Sequence, residues 1–294
     1  MPSPQAEVVL EPPGRVGALR RQVLVGAMTL AAVYLCVFGP GILSSARELA
    51  GGAAPGVPTA WSDRVAAIEW DVFVTALVLV VVVRWLPKHA PLVTRRMCLD
   101  RRLTRWVPAG VLGASAAYVA IAAASGWAGD HVVADWHLPD GTYSQLGVGT
   151  GSFVVISFAA AAAGFTEEIV LVALAAAVVE RAFDVRSHRS RWLTPATIAA
   201  LVALRWLVHL YYLWGSVFVV VWAPGAYLLY RWVGSVWPLV LGHCFYDWLS
   251  IAGRTYPRLS HVFGVAVWSC AAAGFVAIVM SVGLRRRPCV ATLR

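Results

Sequence analysis

The sequence predicts an all-α polytopic membrane protein, a bundle of about eight transmembrane helices. Three observations carry that expectation. Of 294 residues, 60% are hydrophobic and only 13% charged, with a mean hydropathy of +0.71, too little polar surface for a soluble domain of this size. Apolar segments long enough to span a bilayer recur along the chain. The basic residues cluster between alternate segments. Helices are expected rather than a barrel, because lipid leaves unpaired backbone groups without partners and no barrel-type alternation is present.

The elements follow in order. Residues 1–20 are polar and contain several prolines, which predicts a disordered cytoplasmic tail. Segment 22–43 follows Arg15, Arg20 and Arg21. Its length and its Gly39-Pro40-Gly41 favour a retained span over a signal peptide. Segments 65–86 and 106–128 complete a peripheral part, 21–147, whose few charges (Glu69, Asp71, Arg84) sit near span ends. Segment 150–180 is too long for one untilted span. Gly164-Phe165-Thr166 suggests a bend there, or a helix starting near Thr166 whose positive dipole end would favour Glu167 and Glu168. A kink serving packing alone is the other reading. Segments 193–213, 216–232 and 235–252 complete a core, 148–252. Segment 261–284 and a basic tail make up 253–294. No internal repeat is visible, which argues against an inverted-repeat transporter.

The net charge of +9 raises the question of nucleic acid, but its distribution answers otherwise. Arg84, Lys88, Arg95, Arg96, Arg101, Arg102 and Arg105 surround one loop, Arg181, Arg186, Arg189 and Arg191 another, and Arg285, Arg286, Arg287 and Arg294 end the chain. Alternate loops hold only Arg47, Arg64, Arg254 and Arg258, and the loop 129–147 carries Asp130, Asp135 and Asp140 without any Lys or Arg. This pattern predicts a cell-membrane protein with both termini cytoplasmic and in contact with anionic lipid, not a nucleic-acid binder. Trp85, Trp106, Trp127, Trp192, Trp214, Trp232 and Trp237 lie near span ends, as interfacial anchors do. Cys36, Cys98, Cys244, Cys270 and Cys289 have no C-x-x-C spacing and an odd count, so neither a disulfide framework nor a zinc knuckle is indicated.

Chemistry concentrates in the core. Glu167 and Glu168 interrupt an uncharged stretch from Val148 to Val179. One carboxylate near the bilayer centre costs about 2.5–3.5 kcal/mol on insertion scales, and two neighbours repel each other. Arg205 and His209 share a helix face through i,i+4 spacing, and so do His243 and Asp247. A lone intramembrane His is commonly a satisfied interhelical hydrogen-bonder. Six ionisable groups on three spans suggest a site. A carboxylate beside an imidazole can deprotonate water, and a second imidazole can donate to an oxyanion. No Gly-x-Ser-x-Gly and no His-Glu-x-x-His occurs. His209, His243, a Glu and Asp247 could also hold zinc, but their spacing is not diagnostic, so no cofactor is assigned.

At these residues the chain resembles the CPBP family, the CAAX prenyl proteases and bacteriocin-processing or immunity proteins of membranes. The family pattern is Glu-Glu-x-x-x-Arg, Phe-x-x-x-His and His-x-x-x-Asn on successive core helices of an eight-helix bundle. Here the motifs read Glu167-Glu168-Ile169-Val170-Leu171-Val172, Arg205-Trp206-Leu207-Val208-His209 and His243-Cys244-Phe245-Tyr246-Asp247. The resemblance covers about residues 150–252. It implies Glu167 as general base, His209 helping to hold the attacking water, Glu168 orienting the site, and His243 with residue 247 stabilising the oxyanion, without metal. Three positions depart from the pattern: Val172, Arg205 and Asp247. The first two read as one change, an arginine moved to the next helix and pairing with Glu168, where a planar guanidinium suits bidentate binding. The third replaces a donor with an acceptor. Asp247 then either orients His243 or marks a site that no longer cleaves.

The expected function is therefore a glutamate-type membrane endopeptidase acting on a peptide or lipidated protein substrate. A bacterial chain would meet no prenylated substrate and would use another. The alternatives are a catalytically degenerate member of the same fold acting in immunity or as a scaffold, and a proton-coupled transporter.

Overall fold

The computed structural model describes residues 13–51, 61–97, 108–132, 150–186, 193–210, 218–256, 258 and 260–282. Among them there is no strand. The helices are α1 (Pro13–Gly51), α2 (Trp61–Val80), α3 (Leu86–His89), α4 (Pro91–Arg96), α5 (Pro108–Val132), α6 (Thr150–Glu167), α7 (Ala175–Arg186), α8 (Leu193–Val208), α9 (Val219–Val233), α10 (Trp237–Thr255) and α11 (Ser260–Val282). A π-helical turn, Val81–Trp85, joins α2 to α3, and a longer one, Glu168–Leu174, joins α6 to α7. Among the described residues, four helical stretches are long and apolar enough to cross a membrane: Gly17–Arg47, Ile68–His89, Val111–Ala128 and Ser157–Phe183. Thr194–Val208 and Ser260–Gly274 are shorter apolar helices. This is an all-α membrane bundle. The acidic loop positions Asp135 and Asp140, Cys98, Cys289, the tail arginines and residues 1–12 lie outside the described residues.

The α6–α7 rod is central. Within Ser157–Phe183, 83% of the apolar 18-residue stretch is buried inside the bundle, compared with 22% of the corresponding stretch in Ile68–His89. Its runs of alanine (Ala159–Ala163 and Ala175–Ala177) let neighbouring helices come close. Helix α5 is the second hub and packs against α9, α10 and α11. Close approach there depends on glycine. A Cβ at Gly274 would stand 2.3 Å from the Ala116 carbonyl carbon, and one at Gly242 would stand 2.7 Å from the Ser115 carbonyl oxygen. Either substitution would push α11 or α10 away from α5.

The basic stretch after α2 forms a strap. Ala90 precedes Pro91, which disfavours helical backbone, and it breaks α3 from α4 at φ −140°, ψ 60°. Leu86, Ala90, Val93 and Met97 turn one fully buried face to the bundle. The Leu92 N–H donates to Gln22 Oε1 (3.0 Å), Arg181 Nε donates to the Leu92 carbonyl (3.2 Å), and the Tyr230 hydroxyl donates to the Arg96 carbonyl (3.1 Å).

Two sequence expectations are corrected. Helix α1 starts at Pro13, so residues 13–20 are helical rather than part of a disordered tail; proline is well suited to a first helical turn. The long fourth segment does not restart at Thr166. It is helical without interruption from Thr150 to Arg186, and the Thr166 hydroxyl donates back to the Ala162 carbonyl at 2.8 Å, inside the helix. The glutamates therefore meet no helix N-terminus, and their charge is balanced by side chains instead.

Candidate functional site

The six sequence-predicted residues converge. Glu167 closes α6 and Glu168 opens the π-helical turn. Arg205 lies in the last turn of α8, His209 sits just beyond that helix, and His243 and Asp247 lie one turn apart on α10. Arg205 Nη2 pairs with Glu168 Oε1 and, at 3.2 Å, with Glu167 Oε2. His243 Nδ1 is 2.9 Å from Glu168 Oε1, and its Nε2 is 3.3 Å from Asp247 Oδ2. His209 Nε2 is 3.9 Å from Glu167 Oε2. Consecutive α-helical side chains do not face one another. The wider π turn draws Glu167 and Glu168 toward one partner, a use of π-bulges common at functional sites.

The expected arginine–glutamate pairing is present, but it is not bidentate. A single nitrogen, Nη2, reaches both carboxylates. Arg205 Nε and Nη1 and Glu168 Oε2 are buried without a hydrogen-bond partner among the described residues. Arg205 is 1% exposed and Glu168 is fully buried. The guanidinium carbon stands 4.1 Å from the centroid of the Trp222 ring, so a cation–π contact replaces some of the hydration that burial removes. Unsatisfied polar atoms are rare in native cores, and here three of them fall within one ion pair.

Tyr118 and Trp222 belong to the site although the sequence did not single them out. The Tyr118 hydroxyl donates to Glu168 Oε1 at 2.6 Å and accepts from Trp222 Nε1 at 2.8 Å. The Tyr118 ring stacks on His243 (centroids 5.6 Å apart, 26° between planes), and Trp222 meets the edges of His243 at 4.9 Å and of His209 at 5.6 Å. Tyr118 lies on α5, inside the part 21–147 expected to be peripheral, so the division from the core 148–252 is crossed at the site itself. The signal that could have found it is depth. A tyrosine in mid-span, away from both interfaces, must bring its hydroxyl a partner.

Hydrogen bonding fixes the polarity of the rings. His209 Nδ1 is 2.8 Å from the Arg205 carbonyl, which can only accept, so Nδ1 carries the proton. Its Nε2 faces Glu167 at a distance too long for a direct hydrogen bond but within reach of a water touching both. His243 has a carboxylate oxygen at each nitrogen. Asp247 Oδ2 lies at Nε2, and Glu168 Oε1 gathers Tyr118, Arg205 and His243. Among the described residues, no group of three His, Cys, Asp or Glu side chains is arranged to hold a metal ion.

A second buried carboxylate lies farther along the same rod. Glu180 Oε2 accepts from Arg96 Nε (2.5 Å) and Arg231 Nη1 (2.7 Å), and its Oε1 accepts from the Tyr227 hydroxyl (2.8 Å). The sequence placed Glu180 at the edge of a span and gave it no role. Comparison with family models, curated proteins and solved structures returns no match for this chain.

Proposed function

We propose that the chain is a membrane-embedded endopeptidase of glutamate type, similar in its motifs to the CPBP family, that cleaves a peptide bond in a membrane-associated or lipidated protein. The observation that carries this reading is the facing pair Glu167 Oε2 and His209 Nε2 at 3.9 Å. His209 is positioned from its other ring nitrogen by a backbone carbonyl, and Arg205 holds the same Glu167 oxygen, Oε2, that faces His209. A water held between them gives its proton to Glu167 as its oxygen attacks the substrate carbonyl carbon. The C–N bond then breaks as Glu167 returns the proton to the leaving nitrogen. The step as written requires no metal. Glu168, gripped by three donors, fixes Arg205 and His243. The resemblance assigns the oxyanion to His243, but an oxyanion reaches that ring only by displacing Asp247 from Nε2.

The same reading sets the protein in the cell membrane with both termini cytoplasmic. Its support is the exposed Arg20 and Arg21 near the start of α1, Arg84 and Lys88 at the end of the next span, and Arg95 on α4 just beyond it, the positive-inside arrangement. Terminal proteomics of membrane proteins tests the cleavage, comparing cells that carry the native chain with cells carrying Glu167→Ala. Cleaved termini present only with the native chain, at equal amounts of both proteins in the membrane, are expected. Identical terminal profiles would remove the peptidase reading.

One observation favours a second reading, a non-catalytic scaffold or immunity protein of the same fold. Both nitrogens of His243 are occupied by carboxylates, and Asp247 stands where the motif has Asn. Unchanged biological activity of Glu167→Ala alongside identical profiles would select it.

A further inference from the structure

We infer that Asp247, His243 and Glu168 form a proton relay between an aqueous opening on the inward flank of α10 and the buried acid pair. The relay goes beyond the peptidase reading and does not need it.

Three features of α10 carry the inference. The first is the continuity of donors and acceptors. Asp247 Oδ2 and Glu168 Oε1 sit at opposite nitrogens of one ring, 3.3 and 2.9 Å away, and imidazole can take a proton on one nitrogen while releasing one from the other. The second is the burial gradient. Side-chain exposure falls from 26% at Asp247 through 2% at His243 to nothing at Glu168. The third is direction. The lipid-facing stripe of α10 is Leu241, Phe245 and Trp248, all exposed. Asp247 lies about 120° round the helix from the centre of that stripe, on the flank shared with His243. Ten residues into a nineteen-residue helix, a carboxylate turned toward lipid would cost about 2.5–3.5 kcal/mol. Its partial exposure therefore reports water rather than hydrocarbon.

The transfer balances. With Asp247 protonated from the aqueous side, its Oδ2–H bond breaks as an Nε2–H bond forms. The Nδ1–H bond breaks as an Oε1–H bond forms on Glu168. One proton moves inward, no electrons move, and the ring keeps its charge. The consequence falls on Glu167. Arg205 Nη2 is shared by both glutamates, so a proton on Glu168 leaves the guanidinium charge to Glu167. The other ionisable or charged groups facing His243 and Glu168 are Tyr118 from α5, Glu167 from the α6–α7 rod, and Arg205 and His209 from the α8 end. Helix α9 contributes only the neutral Trp222.

The test is solvent exchange of the His243 ring N–H, read by NMR on histidine-labelled protein in lipid nanodiscs without substrate, with the signal assigned by its loss in His243→Gln. A ring this deeply buried exchanges through Asp247 if the relay exists. Asp247→Asn, nearly the same size, is expected to slow exchange at least about a hundredfold, the lower end for a positioned proton-transfer group. Asp247→Glu is expected to restore it. Exchange unchanged in Asp247→Asn would overturn the relay. Exchange equally slow in Asp247→Asn and Asp247→Glu would also overturn it, because packing rather than a carboxyl group would then be limiting. Loss of the peptidase reading leaves this measurement intact, so the two can fail separately.

Discussion

Two buried acidic clusters lie on one unbroken helical rod, and they are solved differently. At Glu180 both carboxylate oxygens are filled, by two arginines and a tyrosine, and the arginine side chains keep 17% and 29% of their surface in contact with solvent. That is a satisfied knot, tying the strap end at Arg96 to α7 and α9. At Glu167 and Glu168 two carboxylates share one guanidinium nitrogen, the arginine is sealed, and three polar atoms find no partner among the described residues. The chain can satisfy a buried carboxylate when only structure is at stake. The incomplete satisfaction of the other pair is an energetic cost of the kind tolerated where geometry serves function.

The contrast is broken most forcefully by removing each cluster's cation or anion. Arg205→Met leaves Glu167 and Glu168 adjacent, buried and without their counter-charge. A loss of about 3–5 kcal/mol is expected, seen as a large fall in the thermal unfolding midpoint in detergent. Stability within about 1 kcal/mol of the native chain would mean that the pair is not ionised as drawn. Glu180→Gln is expected to cost less, about 2 kcal/mol, because the arginines it abandons can turn toward water and their pairing is partly screened. If Glu180→Gln proved the more damaging, the ranking of the two clusters would be reversed.

What could be read beforehand follows the same division. Hydropathy alone gave the helical spans, because a segment with nearly uniform apolarity has no other fold in lipid. Glu167, Glu168, Arg205, His209, His243 and Asp247 were legible because a charge inside an apolar run has to be explained. Tyr118 and Trp222 were not. An aromatic residue in a span has the same composition whether it faces lipid or a guanidinium, and tryptophans near span ends were read as anchors, which the exposed Trp85, Trp127 and Trp232 fit. The π turn was equally hidden. The sequence suggested a bend or a helix start at Gly164-Phe165-Thr166 and held no sign of the π turn that begins at Glu168 within a continuous helix. Glu180 was overlooked because an acid at a span edge needs no special account until its partners converge in space.

Tyr118→Phe sharpens the comparison from the side of the aromatic cage. It removes one of three donors from Glu168 Oε1 and leaves Trp222 Nε1 without its acceptor. The expected loss is about 1–2 kcal/mol, smaller than for Glu180→Gln, because Arg205 and His243 still hold the carboxylate. An undiminished unfolding midpoint would show that the tyrosine hydroxyl is a bystander.

The smallest effect on stability should come from the residue on which the proposed chemistry depends most. Glu167→Gln keeps the shape of the side chain and removes one of two neighbouring negative charges. Arg205 is then left to Glu168, its nearer partner. Relief of like-charge repulsion offsets the weakened contact to Nη2, so the unfolding midpoint should stay within about 0.5–1 kcal/mol of the native value or rise. Cleaved termini should vanish over the same comparison, because an amide cannot take a proton from water. A chain that gains stability while losing activity at one position is the stability–activity trade expected of a functional site. If Glu167→Gln destabilised the protein as much as Glu180→Gln, the two clusters would be structural knots of one kind, and their different hydrogen bonding would carry no functional meaning.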